Sequence, residues 1–182
     1  MSHLKVYAHD DPSKLLLDTD DSYHIRTELS TVGVQFEHWQ APHELAPDAS
    51  NDEIIALYQK DIDRLKAEGG YQTVDVVHMV PDHPEREAFR QKFLDEHRHS
   101  EDEVRFFVKG QGLFCLHLDN KVFQVLCERN DLISVPANTP HWFDMGPTPE
   151  FTAIRLFNNP EGWVANFTGA DIAQRFPLFD QF

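Results

Sequence analysis

From residue 104 onward, short apolar runs alternate with turn-forming residues. Five runs are rich in the β-branched and aromatic residues typical of strands: Val104–Val108, Leu113–Leu118, Val122–Leu126, Leu132–Val135 and Phe151–Phe157. Turn-type segments separate them at Gly110–Gly112, Asp119–Asn120, Arg129–Asp131 and Met145–Pro147. Closely spaced strands joined by such turns indicate an antiparallel β-sandwich or β-barrel.

The N-terminal part of the chain mixes strand and helix patterns. Val32–Phe36 alternates apolar and polar residues, which predicts a strand. Ser50, followed three residues later by Glu53, forms a capping box that predicts the start of a helix. Apolar residues then recur at helical spacing up to Gly69, where two glycines end the predicted helix.

Two further elements lead into the strand-rich part. Residues 71–80 are β-branched and predict a strand, and Glu85–Leu94 predicts a second, shorter helix. Neither a repeat nor a linker interrupts the chain. We therefore predict a mainly β protein with a single domain over residues 1–182, a barrel core at about 71–167, and a few peripheral α-helices.

Charge narrows the range of partners. The chain has 16 Lys plus Arg against 31 Asp plus Glu, a net charge of −15, which opposes binding to nucleic acid and to anionic membranes. Met1–Asp11 lacks the apolar run of a secretory signal, and no apolar stretch is long enough to span a bilayer. The only cysteines, Cys115 and Cys127, lie in apolar runs and are interpreted as buried, reduced thiols. These features predict a cytoplasmic protein.

Four residues carry the candidate chemistry. His97 and His99 are two positions apart, so on a strand their side chains point to one face. Glu103 and Arg105 share that parity if the strand resumes after the intervening turn, and a neighbouring strand of a barrel could supply His141. We predict that His97, His99, Glu103 and His141 bind one divalent metal ion.

Each part of this pattern, taken alone, is weak evidence for a metal site. A lone histidine is usually a surface or hydrogen-bonded residue, and that interpretation applies to His3, His9, His24, His38, His43, His78 and His83. His117 is interpreted as a buried structural histidine or as a hydrogen-bond donor to a ligand. The joint occurrence of His-x-His, a glutamate four residues on and a later proline-rich turn holding histidine arises by chance far less often.

The donor types restrict the metal. Three imidazoles and one carboxylate suit Fe, Ni, Mn or Zn better than Ca or Mg, which prefer oxygen ligands. Four protein ligands on an octahedral ion leave two positions open, an arrangement typical of a catalytic centre that binds a chelating substrate.

The spacing resembles that of the cupin superfamily, which implies a double-stranded β-helix, an antiparallel β-barrel. Its first motif is His-x-His, a short spacer, Glu, six residues and Gly, and here six residues separate Glu103 from Gly110. The second motif fits less closely: Asn130 and Asn138 stand where cupins usually have glycine, Met145 replaces an asparagine and Gln91 replaces a glycine. Asparagine, like glycine, tolerates left-handed backbone.

A more specific resemblance is to the bacterial acireductone dioxygenase family. Four blocks carry most of it: Glu96–Val108, Gly112–His117, Asn130–Pro136 and Thr139–Gly146. Weaker agreement runs through 33–39, 71–77 and 151–167, so the resemblance covers nearly the whole chain.

The resemblance implies that His97, His99, Glu103 and His141 are the ligands of one Fe(II) or Ni(II) ion per chain. It implies a methionine-salvage enzyme that oxidises the enediol acireductone, 1,2-dihydroxy-5-(methylthio)pent-1-en-3-one, with O2. With Fe(II) the implied products are formate and 4-methylthio-2-oxobutanoate. With Ni(II) they are formate, carbon monoxide and 3-methylthiopropionate.

Further residues are expected in the pocket. Arg105 is expected to pair with the anionic substrate, although an ordinary ion pair with Glu101 or Glu103 is an equal alternative; Arg155 is a weaker candidate. Phe93, Phe143 and Trp163 match aromatic positions that line the pocket in the family, and plain core packing is their alternative. A methylthio tail favours aromatic walls, because thioether sulfur packs well on aromatic rings.

Two other functions remain open on sequence alone: a non-catalytic cupin that binds a small ligand, and a different cupin dioxygenase acting on a thiol or diketone. The expected partners are the small-molecule substrate and O2, with the chain acting as a monomer.

Overall fold

The computed structural model describes residues 1–182, and it is built around two β-sheets with four short helices. The helices are α1 Ser22–Ser30, α2 Asn51–Leu57, α3 Gln59–Gly69 and α4 Arg86–Leu94. The first six strands are β1 His3–Ala8, β2 Asp11–Thr19, β3 Gln35–His38, β4 Thr73–Met79, β5 His97–Arg98 and β6 Glu103–Leu118. The others are β7 Lys121–Glu128, β8 Asp131–Val135, β9 His141–Asp144, β10 Phe151–Phe157 and β11 Asn166–Phe167.

The long strand β6 belongs to both sheets. Its first half pairs with β10 and β8 in a sheet ordered β4-β10-β6-β8-β3. Its second half pairs with β7 and β9 in a sheet ordered β11-β5-β9-β6-β7-β1-β2. All pairings are antiparallel, so the predicted antiparallel architecture is confirmed.

Alternation along β6 separates the inside of the molecule from its outside. Phe107 and Phe114 join the main core with buried residues of both sheets, such as Phe123, Ile133 and Phe143. Val104, Phe106 and Val108, which alternate with Arg105 and Phe107, face outward. There they are covered by Ile54 of α2, Tyr58 between the helices, and Ile62 and Leu65 of α3. The period-two rule therefore places Glu103 and Arg105 on the inner face, with Phe107.

The predicted turn at Gly110–Gly112 is wrong, because β6 runs through it without a break. Gly110 adopts φ +65°, and the β6–β10 register shifts beside it, between Thr152 and Ala153. A β-carbon at Gly110 would lie 1.8 Å from the carbonyl oxygen of Glu150. Glycine is needed there because the strand bends from one sheet into the other at a close backbone approach.

The N-terminal region differs most from its sequence prediction. Val32 and Gly33 lie in the turn that ends α1, and the strand begins only at Gln35. The single helix predicted after Ser50 is two helices that meet at Tyr58, although the Ser50–Glu53 capping box is present as predicted. The hairpin β1–β2 was not predicted; β2 lies at a sheet edge with no residue fully buried, so its sequence lacks a hydrophobic alternation.

The remaining elements agree with the sequence prediction to within a few residues. The strand predicted over 71–80 is β4, the helix predicted over 85–94 is α4, and Phe151–Phe157 is β10. Asn130 and Asn138 have φ angles of +87° and +62°, so both take the left-handed backbone that glycine also favours. None of the helices has the length and apolar character needed to cross a bilayer.

Candidate metal centre

Three adjacent strands bring the predicted donors together at one end of the barrel. β9 lies between β5 and β6, so His141 is paired with His97 on one side and with Leu116 on the other. Glu103 is the first residue of β6, and His99 follows β5 directly. The four residues are thus collected from three places in the chain by strand pairing.

The four side chains form one buried cluster. Their exposed fractions are 3% for His97, 4% for His99, 1% for Glu103 and 1% for His141. A ring nitrogen of each histidine lies within 4.8 Å of one on each of the others. The Glu103 Oε2 atom joins them from one side, 3.3 Å from His99 Nε2 and 3.6 Å from His141 Nε2.

The outer nitrogen of every histidine in the cluster is held by a backbone carbonyl. The Nδ1–H groups of His97, His99 and His141 donate to the oxygens of Asp95 at 2.7 Å, Val164 at 3.0 Å and Thr139 at 2.8 Å respectively. This fixes the tautomer, so each Nε2 keeps a lone pair directed into the cluster. Holding the ring from behind is how proteins orient histidine ligands of metals.

Glu103 is held in a similar way. Its Oε1 atom accepts a hydrogen bond of 2.6 Å from Arg105 Nε, while its Oε2 atom has no hydrogen-bond partner. His99 Nε2 and His141 Nε2 are also buried without a partner. Three unpaired polar atoms in one buried place would destabilise the fold unless another group binds them.

The protonation states suit a metal centre. Burial lowers the pKa of His97 and of His99, and lowers that of His141 to about 3, against the opposing attraction of Glu103. Burial alone would raise the pKa of Glu103, but the Arg105 guanidinium and the nearby His99 and His141 hold that pKa well below its ordinary value. At neutral pH the cluster therefore offers three neutral imidazoles and one carboxylate, the forms that bind divalent metals.

The residues fit a transition-metal ion. Nitrogen donors predominate, which favours Fe, Ni, Mn or Zn over Mg or Ca. The fit rests on the unpaired Nε2 and Oε2 atoms together with the fixed tautomers.

Arg105 lies beneath the cluster. Its side chain is buried, and its guanidinium carbon lies 5.0 Å and 4.9 Å from the ring centroids of Phe114 and Phe143. Nη1 has no hydrogen-bond partner. The ion pair that the sequence left as an alternative is therefore present with Glu103, but it uses only Nε and leaves Nη1 without a partner.

A cavity of about 280 Å³ opens onto the cluster. Nine residues line it: Lys92, Phe93, His97, His99, Arg155, Trp163, Val164, Ala165 and Phe167. Larger surface grooves exist, including one of about 480 Å³ beside Tyr23, but that groove holds no cluster of metal-binding side chains.

Of the residues expected in the pocket, three line this cavity, whereas Arg105 and Phe143 do not. Phe93, Arg155 and Trp163 line it. Phe143 does not, because its ring is fully buried in the main core. There it packs edge-on against the Phe93 ring, with the ring centroids 6.3 Å apart, and against the guanidinium of Arg105. A strand residue next to a ligand can support the site from the core, and sequence alone does not separate that position from the cavity wall.

Arg155 makes more hydrogen bonds to the protein than Arg105 does. Its Nε and Nη2 atoms donate to the two carboxylate oxygens of Asp75 at 3.0 Å and 2.7 Å. Four other lining residues, Lys92, Val164, Ala165 and Phe167, were not identified from the sequence. Val164 and Phe167 lie in an exposed, largely irregular segment that has no hydrophobic period to reveal them.

Two sheets sharing a bent strand, with three imidazoles and a carboxylate at one end of the barrel, define the class of protein: a cupin with a candidate metal centre. The sequence profile of the ARD/ARD' family matches residues 5–165. The chain belongs to that family. The predicted family resemblance and the predicted cupin fold are both confirmed.

The relatives agree over nearly their whole length. An acireductone dioxygenase from Alcanivorax borkumensis is 64% identical over 175 residues, covering 96% of this chain and 97% of its own. One from Pseudomonas aeruginosa is 60% identical, covering 99% of both chains. Among solved structures, the acireductone dioxygenase from Bacillus anthracis with a cadmium ion in its active centre matches with a TM-score of 0.78 and 29% identity, covering 92% of this chain and 98% of that one.

Proposed function

We propose that this chain is an acireductone dioxygenase whose activity depends on one divalent ion, Fe(II) or Ni(II), held by His97, His99, Glu103 and His141. The observation that carries the proposal is the set of inward-facing Nε2 and Oε2 atoms left without partners in a member of this family. The cadmium ion in the active centre of the Bacillus anthracis relative supports a metal at this site.

When bound, the ion supplies Lewis acidity and an anchor for two oxygens of the enediol. The chain supplies the setting for it. The carbonyls of Asp95, Val164 and Thr139 hold the imidazoles, and Arg105 holds Glu103 by Oε1 so that Oε2 remains available. With one carboxylate balanced by one guanidinium, the charge of the occupied site is that of the ion, which attracts an enolate despite the acidic surface.

Arg105 is proposed to act on the substrate directly. Its Nη1 atom is a buried donor without a partner, so it can stabilise an anionic oxygen of the enediol by a charge-assisted hydrogen bond. The pairing of Nε with Glu103 fixes the guanidinium plane before substrate arrives. Phe93, Trp163 and Phe167 provide the apolar wall that a methylthio tail requires.

We also propose that the enzyme is a cytoplasmic monomer with a single domain. The three histidines and Glu103 come from one chain, and β6 links the two sheets that hold them. Burial raises the pKa of both Cys115 and Cys127, which keeps them as unreactive thiols and suits a reducing compartment.

An oxygen-consumption assay tests the function. The purified protein loaded with Fe(II) should consume O2 only when acireductone is present, and formate should accumulate in a 1:1 ratio with the O2 consumed. A thiol and a β-diketone serve as matched substrates for other cupin dioxygenases and should give no consumption. Turnover of either, with acireductone left untouched, would contradict the proposal.

For Arg105 we expect a kinetic defect that is separable from metal loss. Arg105→Lys keeps a positive charge for Glu103 but lacks the free Nη1 donor, so metal content should stay near one ion per chain. Turnover should fall roughly 10- to 100-fold, because a hydrogen bond to a charged group is worth about 1.5–3 kcal/mol. Steady-state kinetics and elemental analysis of the same sample measure both.

The exposed Arg26 offers a matched control, since Arg26→Lys should change neither quantity. Normal turnover in Arg105→Lys would show that Arg105 serves only as the structural partner of Glu103.

A further inference from the structure

One exposed segment forms a wall of the cavity and also touches the metal-site histidines. We call Gly162–Thr168 the cavity strap. Trp163, Val164, Ala165 and Phe167 of the strap line the cavity. The Val164 carbonyl accepts the Nδ1–H of His99, and the Phe167 ring lies against the ring of His97 at a centroid distance of 5.9 Å.

Apolar burial does little to hold the strap in place. Trp163, Val164 and Phe167 are 58%, 41% and 53% exposed. Its only regular pairing is the two-residue strand β11 against β5. A segment with so few buried contacts opens easily unless polar anchors hold it.

Such an anchor lies at the C-terminal end of the strap. Thr168 N donates to the carbonyl oxygen of Glu96 at 3.0 Å, and Thr168 Oγ1 donates to Glu96 Oε1 at 2.7 Å. Glu96 is 4% exposed, and its other oxygen, Oε2, accepts from His117 Nδ1 at 3.0 Å. His117 Nε2 is in turn 3.1 Å from His9 Nδ1, which completes a row of four side chains leading from the strap to strand β6 and the end of the N-terminal hairpin.

The geometry assigns Thr168 as a positioning residue: its hydroxyl, bonded to a Glu96 carboxylate that His117 holds in place, keeps the cavity strap closed against the metal centre. The bond is charge-assisted and buried at the Glu96 end, so it is stronger than the neutral backbone bonds of β11. Because the same strap orients His99 through Val164, the anchor connects the cavity wall to the metal-site geometry.

Threonine offers a matched pair of substitutions. Thr168→Val keeps the shape and removes the hydroxyl, whereas Thr168→Ser keeps the hydroxyl and removes a methyl group. Thr148→Val makes the same chemical change at an exposed threonine that borders a different groove. Thr168→Ser and Thr148→Val should unfold at nearly the wild-type temperature, because Thr168 is only half-buried and Thr148 is exposed. Thr168→Val leaves Oε1 of the buried Glu96 without this donor, so a lower unfolding temperature is expected for that variant alone.

Hydrogen exchange of the peptide covering residues 163–168, measured by mass spectrometry on metal-free protein, tests the anchor. We expect exchange on the order of 10-fold faster in Thr168→Val, since the lost bond is to a charged group. Thr168→Ser and Thr148→Val should match wild type. Equal exchange in Thr168→Val and wild type, or equally fast exchange in Thr168→Val and Thr168→Ser, would overturn the assignment.

Kinetics give a second measurement, which rests on the proposed function. KM for acireductone should rise several-fold in Thr168→Val with a smaller change in kcat, and Thr168→Ser should restore KM. An unchanged KM beside faster strap exchange would overturn the link between the strap and substrate binding. The exchange experiment involves neither metal nor substrate, so failure of the proposed function leaves its result interpretable.

Discussion

His97→Ala, His99→Ala and His141→Ala are each expected to lose most of the bound metal and at least about 10³-fold in turnover while remaining folded. Each change removes one of four donors from a site whose other atoms are already fixed in place. The expected loss is large because the three imidazoles are buried and form the one group of three or more clustered metal-binding side chains in the structure. Elemental analysis and turnover, measured on one preparation, report both effects.

Glu103 needs a milder change. Alanine would leave the buried guanidinium of Arg105 without its partner, which costs several kcal/mol of stability. Glu103→Gln keeps the size and an acceptor for Arg105 Nε but removes the charge, and it should lose metal in the same way. His78→Ala is the matched control: its ring bonds Thr152 on the barrel and takes no part in the cluster. Metal content and turnover near wild type in any one variant would remove that residue from the ligand set.

Exchanging the metal is expected to change the products while the protein stays the same. Reloaded with Fe(II), the metal-free enzyme should yield formate and 4-methylthio-2-oxobutanoate. Reloaded with Ni(II), it should yield carbon monoxide together with formate and 3-methylthiopropionate. Imidazole and carboxylate accept both ions, and the ions differ in Lewis acidity and redox behaviour. Gas analysis for carbon monoxide, with chromatography of the acids, measures the change.

Zn(II) is a useful control because it binds the same donors but has no redox chemistry. If Fe(II) and Ni(II) gave identical products, the metal would not control the products, and the enzyme would be a dioxygenase with a single set of products. If a substitution distant from the ligands redirected the products with Fe(II) still bound, the shape of the pocket would be the controlling variable.

The inward-facing donors on β6 could be predicted because a strand has a strict period of two. Glu103 and Arg105 share a face with Phe107, while Val104 and Phe106 face the helices. His141 is a different case. Its place beside His97 depends on the pairing of β9 with β5, which no local pattern reveals. His141 was predicted as a ligand from the proline-rich turn that holds it, and the motif resemblance implied the same residue.

The predictions that were wrong can each be explained by the local sequence. Gly110 was interpreted as a turn because glycine favours one, but here the left-handed φ bends a continuous strand. Phe143 was expected at the pocket but lies in the main core. Strand residues that face the core and strand residues that face the cavity show the same alternation of apolar and polar positions, so the sequence does not distinguish them. Of the cavity strap only Trp163 was expected at the pocket; the other strap residues were missed because they follow no hydrophobic period, although the Val164 carbonyl holds His99.

The ligand set itself is tested most directly by anomalous diffraction from crystals of the Ni(II)-loaded enzyme, recorded at the nickel absorption edge. We expect one strong peak per chain, bonded to Nε2 of His97, His99 and His141 at roughly 2.1 Å and to a carboxylate oxygen of Glu103 at a similar distance. A peak held by other residues, or no peak in crystals of fully active enzyme, would contradict it.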